Sequence, residues 1–424
     1  MKILVIGSGG REHALCWKMR GSTLVEKVYC APGNAGISKD DTCIDIKATD
    51  INGLLRFARS EEIDITVVGP EIPLSIGIVD RFMQEDQRIF GPSKQASQIE
   101  ISKVFCKNLM KKYNIPSAFY SVFDDFDTAV KWIEEVKPPL VVKADGLAAG
   151  KGVFICRDVQ EAVDALNTIM RNKVFGESGN RVVIEEFLEG EEVSFFAFTD
   201  GKNILPLESS QDHKALLDGD KGPNTGGMGA YSPAPLVTEE LREKIINQIM
   251  VPTLDALNNE GIDYKGILYA GLMIQNSEPK VLEFNCRFGD PEAQPLLMRM
   301  KTDIVPIINA VVDSNLSGVE IEWYDESSVC VVLASKGYPG DYKKGYEIRG
   351  LEILDNISGI NVFHSGTIYR DDSYLTNGGR VLGVTSLGKD IKQSIKAVYN
   401  AIEKIDCEHL FYRSDIGSKA LKYL

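Results

Sequence analysis

The chain lacks three features that would place it in a class at once: paired cysteines, an excess of positive charge and a long apolar run. Its eight cysteines are scattered singly, without a Cys-x-x-Cys pair, which predicts free thiols and argues against zinc and disulfides. The 47 basic and 61 acidic side chains give a net charge of −14, which argues against a nucleic-acid partner. No apolar run approaches a membrane span, and the N-terminal one is too short for a signal peptide, so we expect a cytoplasmic protein.

The bulk composition is that of an ordinary soluble protein with several domains. Apolar residues make up 44% and charged residues 25% of the 424 positions, as in most globular proteins. A chain of this length is expected to form two to four domains. The acidic balance does not exclude small anionic ligands, because such ligands are held by local groups. Function must therefore be sought in local motifs.

The most informative stretch is 281–292, where polar and apolar residues alternate as on a half-buried strand. Four apolar side chains are expected on one face: Leu282, Phe284, Cys286 and Phe288. The other face carries Glu283, Asn285 and Arg287. Carboxylate and amide oxygens suit Mg²⁺, and a guanidinium suits a phosphate or a carboxylate. This face can thus hold a metal-bound polyphosphate beside an acid to be activated; an ordinary edge strand with a solvated face is the alternative.

The first hundred residues alternate strands and helices, which predicts a parallel sheet with right-handed crossovers. A strand over 2–6 runs into the loop Gly7-Ser8-Gly9-Gly10 and then into a helix, a geometry that offers backbone N–H groups to a phosphate. Glu12 stands where the dinucleotide fingerprint needs its third glycine, so a hydride-transfer cofactor is not expected. A glycine turn without a ligand is the alternative.

A strand, a glycine-rich loop and a second strand follow between 139 and 156. Because the loop 145–152 joins two strands, it is not a Walker A loop; we interpret it as a glycine hairpin over phosphates, with Lys143 on the strand before it. Further on, the linker Glu185-Glu186-Phe187-Leu188 suits the edge of a flat aromatic base, and a nearby carboxylate could take ribose hydroxyls. A flexible hairpin and a solvated acidic loop are the alternatives.

Residues 222–233 form a loop too rich in glycine for a core and too regular in its prolines for a linker. Such loops are usually functional, so we predict a substrate-binding lid, with a surface Ω-loop as the alternative. His213, in the polar cluster before it, is a general base or a hydrogen-bonded structural residue. The last hundred residues predict a small α+β domain that closes one wall of the cleft and carries no catalytic constellation, with strands at 328–334, 361–369 and 380–386.

Together these motifs resemble the ATP-grasp fold and, more closely, the phosphoribosylamine–glycine ligase family. The resemblance runs along nearly the whole chain, and the loop at 222–233 and the turn at 287–292 are its most specific parts. It implies an α/β and α+β multidomain fold. The expected parts are an N-terminal Rossmann-like domain over 1–102, a two-lobed ATP-grasp domain over 103–325 with its small lobe at about 117–190, and a C-terminal α+β domain over 326–424.

The resemblance also implies a reaction in purine synthesis. ATP, glycine and 5-phosphoribosylamine would give glycinamide ribonucleotide, ADP and phosphate. Because a carboxylate is a poor electrophile, glycine would first accept the γ-phosphoryl group and form glycyl phosphate. The partners are then small molecules, with no nucleic acid and no membrane, and transient contact with neighbouring purine-pathway enzymes is compatible with this role.

The family's site residues carry over to matching positions here. The implied metal ligands, for Mg²⁺ or Mn²⁺, are Glu283 and Asn285. The implied catalytic residues are Arg287, Asp212 and Lys214. The implied ATP-binding residues are Lys103, Lys143, Gly150, Gly152, Glu185, Glu186, Phe187, Leu188 and Glu192. The implied substrate-binding residues are Gly9, Gly10, Pro223, Asn224, Thr225, Gly226, Gly227 and Asp290.

One departure from the wider fold concerns the metal. Many ATP-grasp enzymes take another metal carboxylate from the strand before the Glu-x-Asn strand, but 269–273 contains no acid. A second ligand would have to come from elsewhere, from Asp290 or Glu292. Two other functions compete with the ligase: an ATP-grasp ligase or carboxylase for a different acid, and a nucleotide-binding sensor without turnover.

Overall fold

A parallel sheet opens the chain in the computed structural model, which describes residues 1–147 and 152–424. Its strands are β1 (Lys2–Gly7), β2 (Lys27–Pro32), β3 (Thr42–Cys43), β4 (Ile65–Val68) and β5 (Ile89–Phe90). The order β3-β2-β1-β4-β5 is parallel throughout and confirms the predicted sheet. β4 is buried along its whole length because helices cover both faces of the sheet. The helices are α1 (Gly10–Arg20), α2 (Ile37–Asp40), α3 (Ile51–Ser60), α4 (Glu71–Ser75) and α5 (Ile78–Met83).

Two helices lead from this sheet into the central region: α6 (Gln98–Ile101) and α7 (Lys103–Lys112). The Ser102 hydroxyl accepts a hydrogen bond from the Phe105 N–H and caps the start of α7. Asp145 also contacts this end of α7, because its carboxylate accepts from the Val104 N–H at 3.2 Å and from the Ser102 hydroxyl at 3.0 Å. The loop after the Lys143 strand is thereby tied to the start of α7.

A small antiparallel lobe follows, with strands β6 (Tyr120–Phe123), β7 (Leu140–Ala144), β8 (Val153–Cys156) and β9 (Val182–Glu186). They lie in the order β6-β9-β7-β8. Two helices, α8 (Phe126–Val136) and α9 (Val159–Leu166), pack on this sheet around their own apolar core. β7 and β8 pair antiparallel, so the glycine loop does join two strands.

The large lobe contains the stretch singled out from the sequence. Its main sheet, in the order β11-β10-β16-β17, consists of β10 (Glu191–Asp200), β11 (Ile204–Pro206), β16 (Lys265–Gln275) and β17 (Glu278–Asn285). Between β11 and β16 lie β12 (Gln211–Asp212), β13 (Ala215–Leu217), β14 (Lys221–Asn224), β15 (Gly229–Ser232), α10 (Glu239–Ile245) and α11 (Val251–Asn259). After β17 come α12 (Ala293–Arg299) and α13 (Ile304–Val312). α13 packs on β10 and β16 of that sheet, whereas α12 packs on α1 and on β15.

The predicted alternation over 282–288 is only partly right. Gly271 pairs with Glu283 and Leu272 with Val281, so Leu282 is the extra residue of a β-bulge. β17 then ends at Asn285, and Phe288 packs with the aromatic cluster of Phe196 and Phe198 instead of beside Phe284. The alternation of Glu283, Asn285 and Arg287 is unaffected, because these residues follow the bulge along the chain.

The C-terminal region builds its sheet partly from the central region. β12 and β15 form one edge of an antiparallel sheet in the order β12-β15-β18-β23-β20, with β24 also paired to β18. The C-terminal elements are β18 (Ser327–Ser335), β19 (Glu347–Ile348), α14 (Leu351–Leu354), β20 (Ile360–His364), β21 (Thr367–Arg370), β22 (Ser373–Thr376), β23 (Arg380–Gly388), α15 (Ile391–Ile402) and β24 (Leu410–Phe411). The predicted single strand over 361–369 is wrong: Ser365 and Gly366 break it into β20 and β21, which belong to different sheets.

Two negative predictions can be compared with the described residues. All eight cysteines are free thiols, and six of them are buried. Over 1–147 and 152–424, no helix combines the length and the apolar character that crossing a bilayer would need.

Candidate active site

The polar end of β17 forms the floor of the site. Glu283 lies opposite Gly271, and a Cβ at position 271 would stand 3.3 Å from the Glu283 Cγ. The sequence showed no acid on β16. The structure adds that the residue of β16 beside Glu283 is a glycine, which has no side chain at all. Asn285 pairs with Tyr269, so both polar residues of β17 share the face of β16 that carries the Tyr269 ring.

Four cations surround the Glu283 carboxylate. The Lys214 Nζ lies 3.6 Å from its Oε1. Its place inside the cleft opposes ionisation, but Lys214, Lys143, Lys103 and Arg287 outweigh this and lower the pKa of Glu283 to about 2. Glu283 is thus ionised near neutral pH. A hard carboxylate oxygen and the Asn285 amide oxygen are a donor pair that fits Mg²⁺ or Mn²⁺; among the described residues, no group of three His, Cys, Asp or Glu side chains adds a closed metal cage.

A shared carboxylate on β9 holds two lysines, one from β7 of the small lobe and one from α7. The Glu185 Oε2 lies 3.0 Å from both the Lys143 Nζ and the Lys107 Nζ, and all three side chains are buried. Lys143 also donates to the Leu282 carbonyl at 3.3 Å and so joins the small lobe to β17 at its bulge. Lys103, the other predicted phosphate ligand, donates to the Gly146 carbonyl at 3.0 Å, and burial lowers its pKa.

The linker between the lobes is only partly free to bind a base. The Glu186 N–H donates to the Phe119 carbonyl at 3.0 Å, and its carboxylate accepts from the Phe119 N–H at 3.0 Å. No hydrogen bond engages Leu188 within the part of the chain that the structure describes. Glu192 accepts from Lys214 at 3.1 Å, so the predicted ribose ligand is tied to a predicted catalytic residue. Gly150 lies outside the described residues, and Gly152 precedes β8 as a buried residue.

Arg287 is held by groups that the sequence did not single out. Its Nη2 donates to Glu100 at 2.8 Å and to the Asn285 Oδ1 at 3.0 Å. Its Nη1 donates to the Phe288 carbonyl at 3.2 Å, and its Nε lies 3.5 Å from Glu71. Glu71 and Glu100 come from the N-terminal region, so the catalytic strand is bound to a part of the chain nearly two hundred residues away.

Asp212 and Glu292 form a pair of carboxylates beside Tyr269. Glu292 accepts from the Tyr269 hydroxyl at 2.6 Å and from the Ser194 hydroxyl at 3.1 Å. Burial and the neighbouring Glu292 raise the pKa of Asp212 well above its usual value. Glu192 and Glu283 lie near Lys214 and raise its pKa, although burial opposes them. The site therefore presents a carboxyl that takes up a proton easily next to an ammonium that keeps its charge.

His213 has a structural role. It is fully buried, and its Nδ1 lies 3.3 Å from the Gly229 carbonyl. Its Nε2 finds no hydrogen-bond partner in the described chain. Burial, with Lys419 and Arg413 adding to it, lowers its pKa to about 3, so it is neutral and points into the protein. Of the two roles left open by the sequence, general base and structural residue, the geometry favours the second.

The loop predicted to bind substrate folds over Asp212 and the turn at Asp290. A Cβ on Gly227, whose φ is +110°, would lie 2.4 Å from the Pro291 Cδ and 2.7 Å from the Asp212 Oδ1. Thr225 closes the loop by accepting from the Gly227 N–H at 3.0 Å. Arg380 of β23 donates to the Gly226 carbonyl at 2.6 Å and to the Asp290 carbonyl at 2.5 Å. Pro223 and Asn224, by contrast, are exposed on β14 and outside this contact.

The first glycine loop reaches the same turn from the other side. The Arg11 N–H donates to the Asp290 carboxylate at 3.4 Å, and a Cβ on Gly9 would lie 3.1 Å from that carboxylate. Glu12 accepts from the Gly9 N–H at 2.6 Å and from the Arg11 Nε at 2.5 Å. This explains the glutamate at the third glycine position: it closes the loop onto α1 and holds Arg11 toward the site.

The structure therefore brings most predicted residues together and adds others. Sequence reasoning missed Lys107, Glu71 and Glu100, and it missed Arg11 and Arg380. Arg11 directly follows the first glycine loop, a signal that could have found it. The others stand in no glycine-rich or strictly alternating motif, so only the fold could reveal them. A cavity of about 470 Å³ lies elsewhere, is lined by Phe195 of β10 and by Trp323 among others, and shares none of these residues.

Two antiparallel lobes that meet at Lys143 and Leu282, above a Glu-x-Asn-x-Arg strand, define an ATP-grasp protein. Three domain models of phosphoribosylglycinamide synthetase match the chain: the N domain over 1–100, the ATP-grasp (A) domain over 101–293 and the C domain over 328–419. The chain belongs to this phosphoribosylglycinamide synthetase, or phosphoribosylamine–glycine ligase, family.

Individual relatives agree with the domain models. The phosphoribosylamine–glycine ligase of Caldanaerobacter subterraneus subsp. tengcongensis is 50% identical over 418 residues, which cover 99% of this chain and 100% of that protein. That of Brucella melitensis is 48% identical and covers 100% and 99%. The crystal structure of the Thermotoga maritima phosphoribosylamine–glycine ligase matches with a TM-score of 0.83 at 32% identity, covering 98% of this chain and 100% of that one.

A more distant match concerns the fold alone. The biotin carboxylase of Campylobacter jejuni has a TM-score of 0.75 at 14% identity, and the match covers 99% of this chain and 94% of that one. The ATP-grasp architecture is thus shared with a protein whose sequence is largely different.

Proposed function

We propose that the chain joins glycine to 5-phosphoribosylamine with ATP, by way of glycyl phosphate, and releases glycinamide ribonucleotide, ADP and phosphate. The observation that carries the proposal is the ionised Glu283 beside Asn285 and Arg287, ringed by three lysines. A protein that only sensed nucleotide would not need this dense set of charges at the phosphate end. Family membership selects glycine and the amino sugar from among the acids and acceptors that ATP-grasp enzymes use.

ATP would bind between the two lobes. The base would lie against the linker, where the Leu188 main chain has free hydrogen-bonding groups, and Glu192 would take the ribose. Lys103 and Lys143 would bind phosphate oxygens, with the 145–152 hairpin above them. Because the Glu186 N–H is already occupied by Phe119, Glu186 would contribute its carbonyl or its position rather than a donor.

A divalent cation would be held by Glu283 and Asn285. Both offer the hard oxygens that Mg²⁺ and Mn²⁺ prefer, and Glu283 is already ionised. Bound there, the ion would neutralise charge on the polyphosphate. Glu292 is engaged by Tyr269 and Ser194, and Asp290 by Gln294 and Arg11. Neither is therefore free to serve as a second ligand without giving up these bonds.

The chain's own residues would then carry the two steps. An oxygen of the glycine carboxylate attacks the γ-phosphorus and ADP leaves, with Arg287 stabilising charge on the transferred group. The amine of phosphoribosylamine next attacks the acyl carbon, phosphate leaves, and the amine loses a proton. Asp212, whose raised pKa suits proton uptake, is placed to accept it, and Lys214 offsets the negative charge nearby. Gly9, Gly10, Asp290 and the loop at 225–227 would hold the amino sugar and glycine.

The proposed setting is the cytoplasm, with small molecules as substrates. The proposed domain boundaries remain at about residues 102 and 325. Transient contact with neighbouring enzymes of purine synthesis is compatible with the role, and the net charge of −14 is unsuited to nucleic acid.

The deciding experiment measures ADP release by the purified full chain with Mg²⁺ and glycine, with and without freshly generated phosphoribosylamine. The proposal expects a rate that needs both substrates and collapses in R287A. ADP release that ignores both would mean a different acid and acceptor, and no turnover under any condition would favour a sensor. Product mass distinguishes glycinamide ribonucleotide from any other amide.

A further inference from the structure

Glu100 lies at the joint between the N-terminal and central regions and contacts the catalytic strand where β17 stops. Its Oε2 accepts from the Cys286 N–H at 2.8 Å and from the Cys286 thiol at 3.0 Å. Its Oε1 accepts from the Arg287 Nη2 at 2.8 Å. The carboxylate is 6% exposed, so these three donors are bound away from competing water.

The two oxygens of the Glu100 carboxylate therefore bind different groups: one accepts from the Cys286 backbone and the other from the Arg287 side chain. β17 ends at Asn285, so the Cys286 N–H has no ladder partner and takes Glu100 instead. The Arg287 guanidinium donates to the other oxygen of the Glu100 carboxylate. Backbone and side chain of the Arg287 segment are therefore oriented together, which a single hydrogen bond to the guanidinium would not achieve.

The remaining contacts of Arg287 leave part of its fork available. Its Nη2 is used by Glu100 and Asn285, and its Nη1 by the Phe288 carbonyl. Its Nε has no hydrogen-bond partner in the ranges described, since Glu71 stands 3.5 Å away. The guanidinium is thus held by Glu100, Asn285 and the Phe288 carbonyl, and its buried Nε faces Glu71. One Nη1–H is left for a substrate oxygen.

The charge of Glu100 makes a purely electrostatic role implausible. A carboxylate 2.8 Å from Arg287 weakens the positive potential that a developing anion would feel. What it supplies is geometry, because a charge-assisted bond restricts a side chain that otherwise has many rotamers. We propose that Glu100 is a positioning residue that holds Arg287 in its catalytic orientation, so that the N-terminal region takes part in phosphoryl and acyl transfer.

The inference rests on the proposed function, because it assigns Arg287 to the reacting groups. Its test is a double-mutant cycle on the full chain with E100Q, R287A and E100Q/R287A. The amide of E100Q has one acceptor oxygen, so it can satisfy the Cys286 N–H or Arg287 but not both. We expect kcat in E100Q to fall roughly ten- to a hundred-fold, while KM for ATP changes less than about three-fold, since the phosphate-binding lysines are untouched.

The cycle separates positioning from general support. If Glu100 acts through Arg287, adding E100Q to R287A changes kcat less than about two-fold. If Glu100 only supports the fold, the two losses multiply, and the inference is wrong. A kcat for E100Q within two-fold of the parent chain would also overturn it.

The matched control is E208Q, which also removes the carboxylate partner of a buried arginine. Glu208 lies 3.4 Å from Arg299, away from the cleft, so E208Q should keep the parent kcat whatever it does to melting temperature. If E100Q does not fold, E100D takes its place in the cycle, because it keeps both acceptor oxygens on a shorter stem. Absence of substrate-dependent turnover in the parent chain would count against the proposed function, whereas a normal parent with multiplicative losses counts against Glu100 alone.

Discussion

At the scale of single residues, burial decides which titratable groups do chemistry. Glu283 stays ionised because cations surround it, whereas His213 stays neutral because it is buried beside further cations. The sequence places both in polar clusters of similar appearance. It could predict the first role, since Glu-x-Asn-x-Arg is a pattern with a chemical purpose, but it could not distinguish a buried histidine from a catalytic one.

The neutral state of His213 predicts how stability depends on pH. In the unfolded chain a histidine binds a proton at a pKa of about 6.5, whereas folded His213 does so only at about 3. As pH falls from 6.5 toward 3 the unfolded state takes up a proton that the folded state does not, so stability is lost through that window, by about 1.4 kcal/mol per pH unit. Denaturant unfolding of H213Q should show a shallower loss over this range than the parent chain. Equal slopes would mean that His213 is protonated in the folded state.

The close packing around Gly227 predicts that a side chain at this position would reduce activity. G227A places a methyl group 2.4 Å from the Pro291 Cδ and 2.7 Å from Asp212, at a φ of +110°. We expect most substrate-dependent activity to be lost, because the loop must leave Asp212 and the Asp290 turn. The control is G261A: Gly261 also has a positive φ, +72°, but nothing within 4 Å of its Cβ. G261A should cost about 1–2 kcal/mol of stability and no activity. A comparable loss of activity in both variants would mean that backbone strain alone causes the effect.

At the scale of elements, the sequence predicts strands and their order better than their ends and distortions. The parallel sheet, the strand–loop–strand hairpin and the helix begun by Ser102 all follow from apolar runs and capping chemistry. The bulge at Leu282 does not, because it depends on pairing with β16. Nor does the break at Ser365 and Gly366, where Gly366 lies close against Gly378 and the chain changes sheets.

The contact of α7, β7 and β9 at Glu185 yields a prediction about ATP. E185Q would leave the buried ammonium groups of Lys107 and Lys143 without their shared counter-charge. We expect a loss of about 3–5 kcal/mol in stability and a raised KM for ATP, since Lys143 loses the group that holds it toward Leu282. Urea unfolding and initial rates measure the two effects. The control is E189Q, at an exposed neighbouring position, which should change neither the stability nor the KM for ATP. An unchanged KM for ATP in E185Q would show that Lys143 keeps its position without Glu185.

At the scale of the whole molecule, the site is assembled from all three regions of the chain. The N-terminal region supplies Arg11 from α1 and Glu100 from α6. The central region supplies the lysines and β17, and the C-terminal sheet supplies Arg380. The sequence predicts that the last region closes one wall of the cleft and carries no catalytic constellation. It could not see Arg380, because the residue's importance comes only from where β23 begins relative to the loop at 225–227.

Arg380 predicts how far the C-terminal region controls substrate binding. Its guanidinium donates to carbonyls of Gly226 and Asp290 and lies 3.6 Å from the Asp290 carboxylate. R380A leaves the Gly226 and Asp290 carbonyls without this donor and frees the loop from the turn. KM for glycine or phosphoribosylamine should therefore rise about ten-fold or more, with a smaller change in KM for ATP.

The contrast between substrates makes this test decisive. R380K retains a cation but not the planar fork that reaches several carbonyls, and should recover only part of the loss. R370A, on an exposed position of β21, removes the same charge far from the loop and should leave all three constants unchanged. A uniform rise in every KM would point to damage of the whole fold. A selective rise would show that the C-terminal sheet sets the shape of the acceptor site.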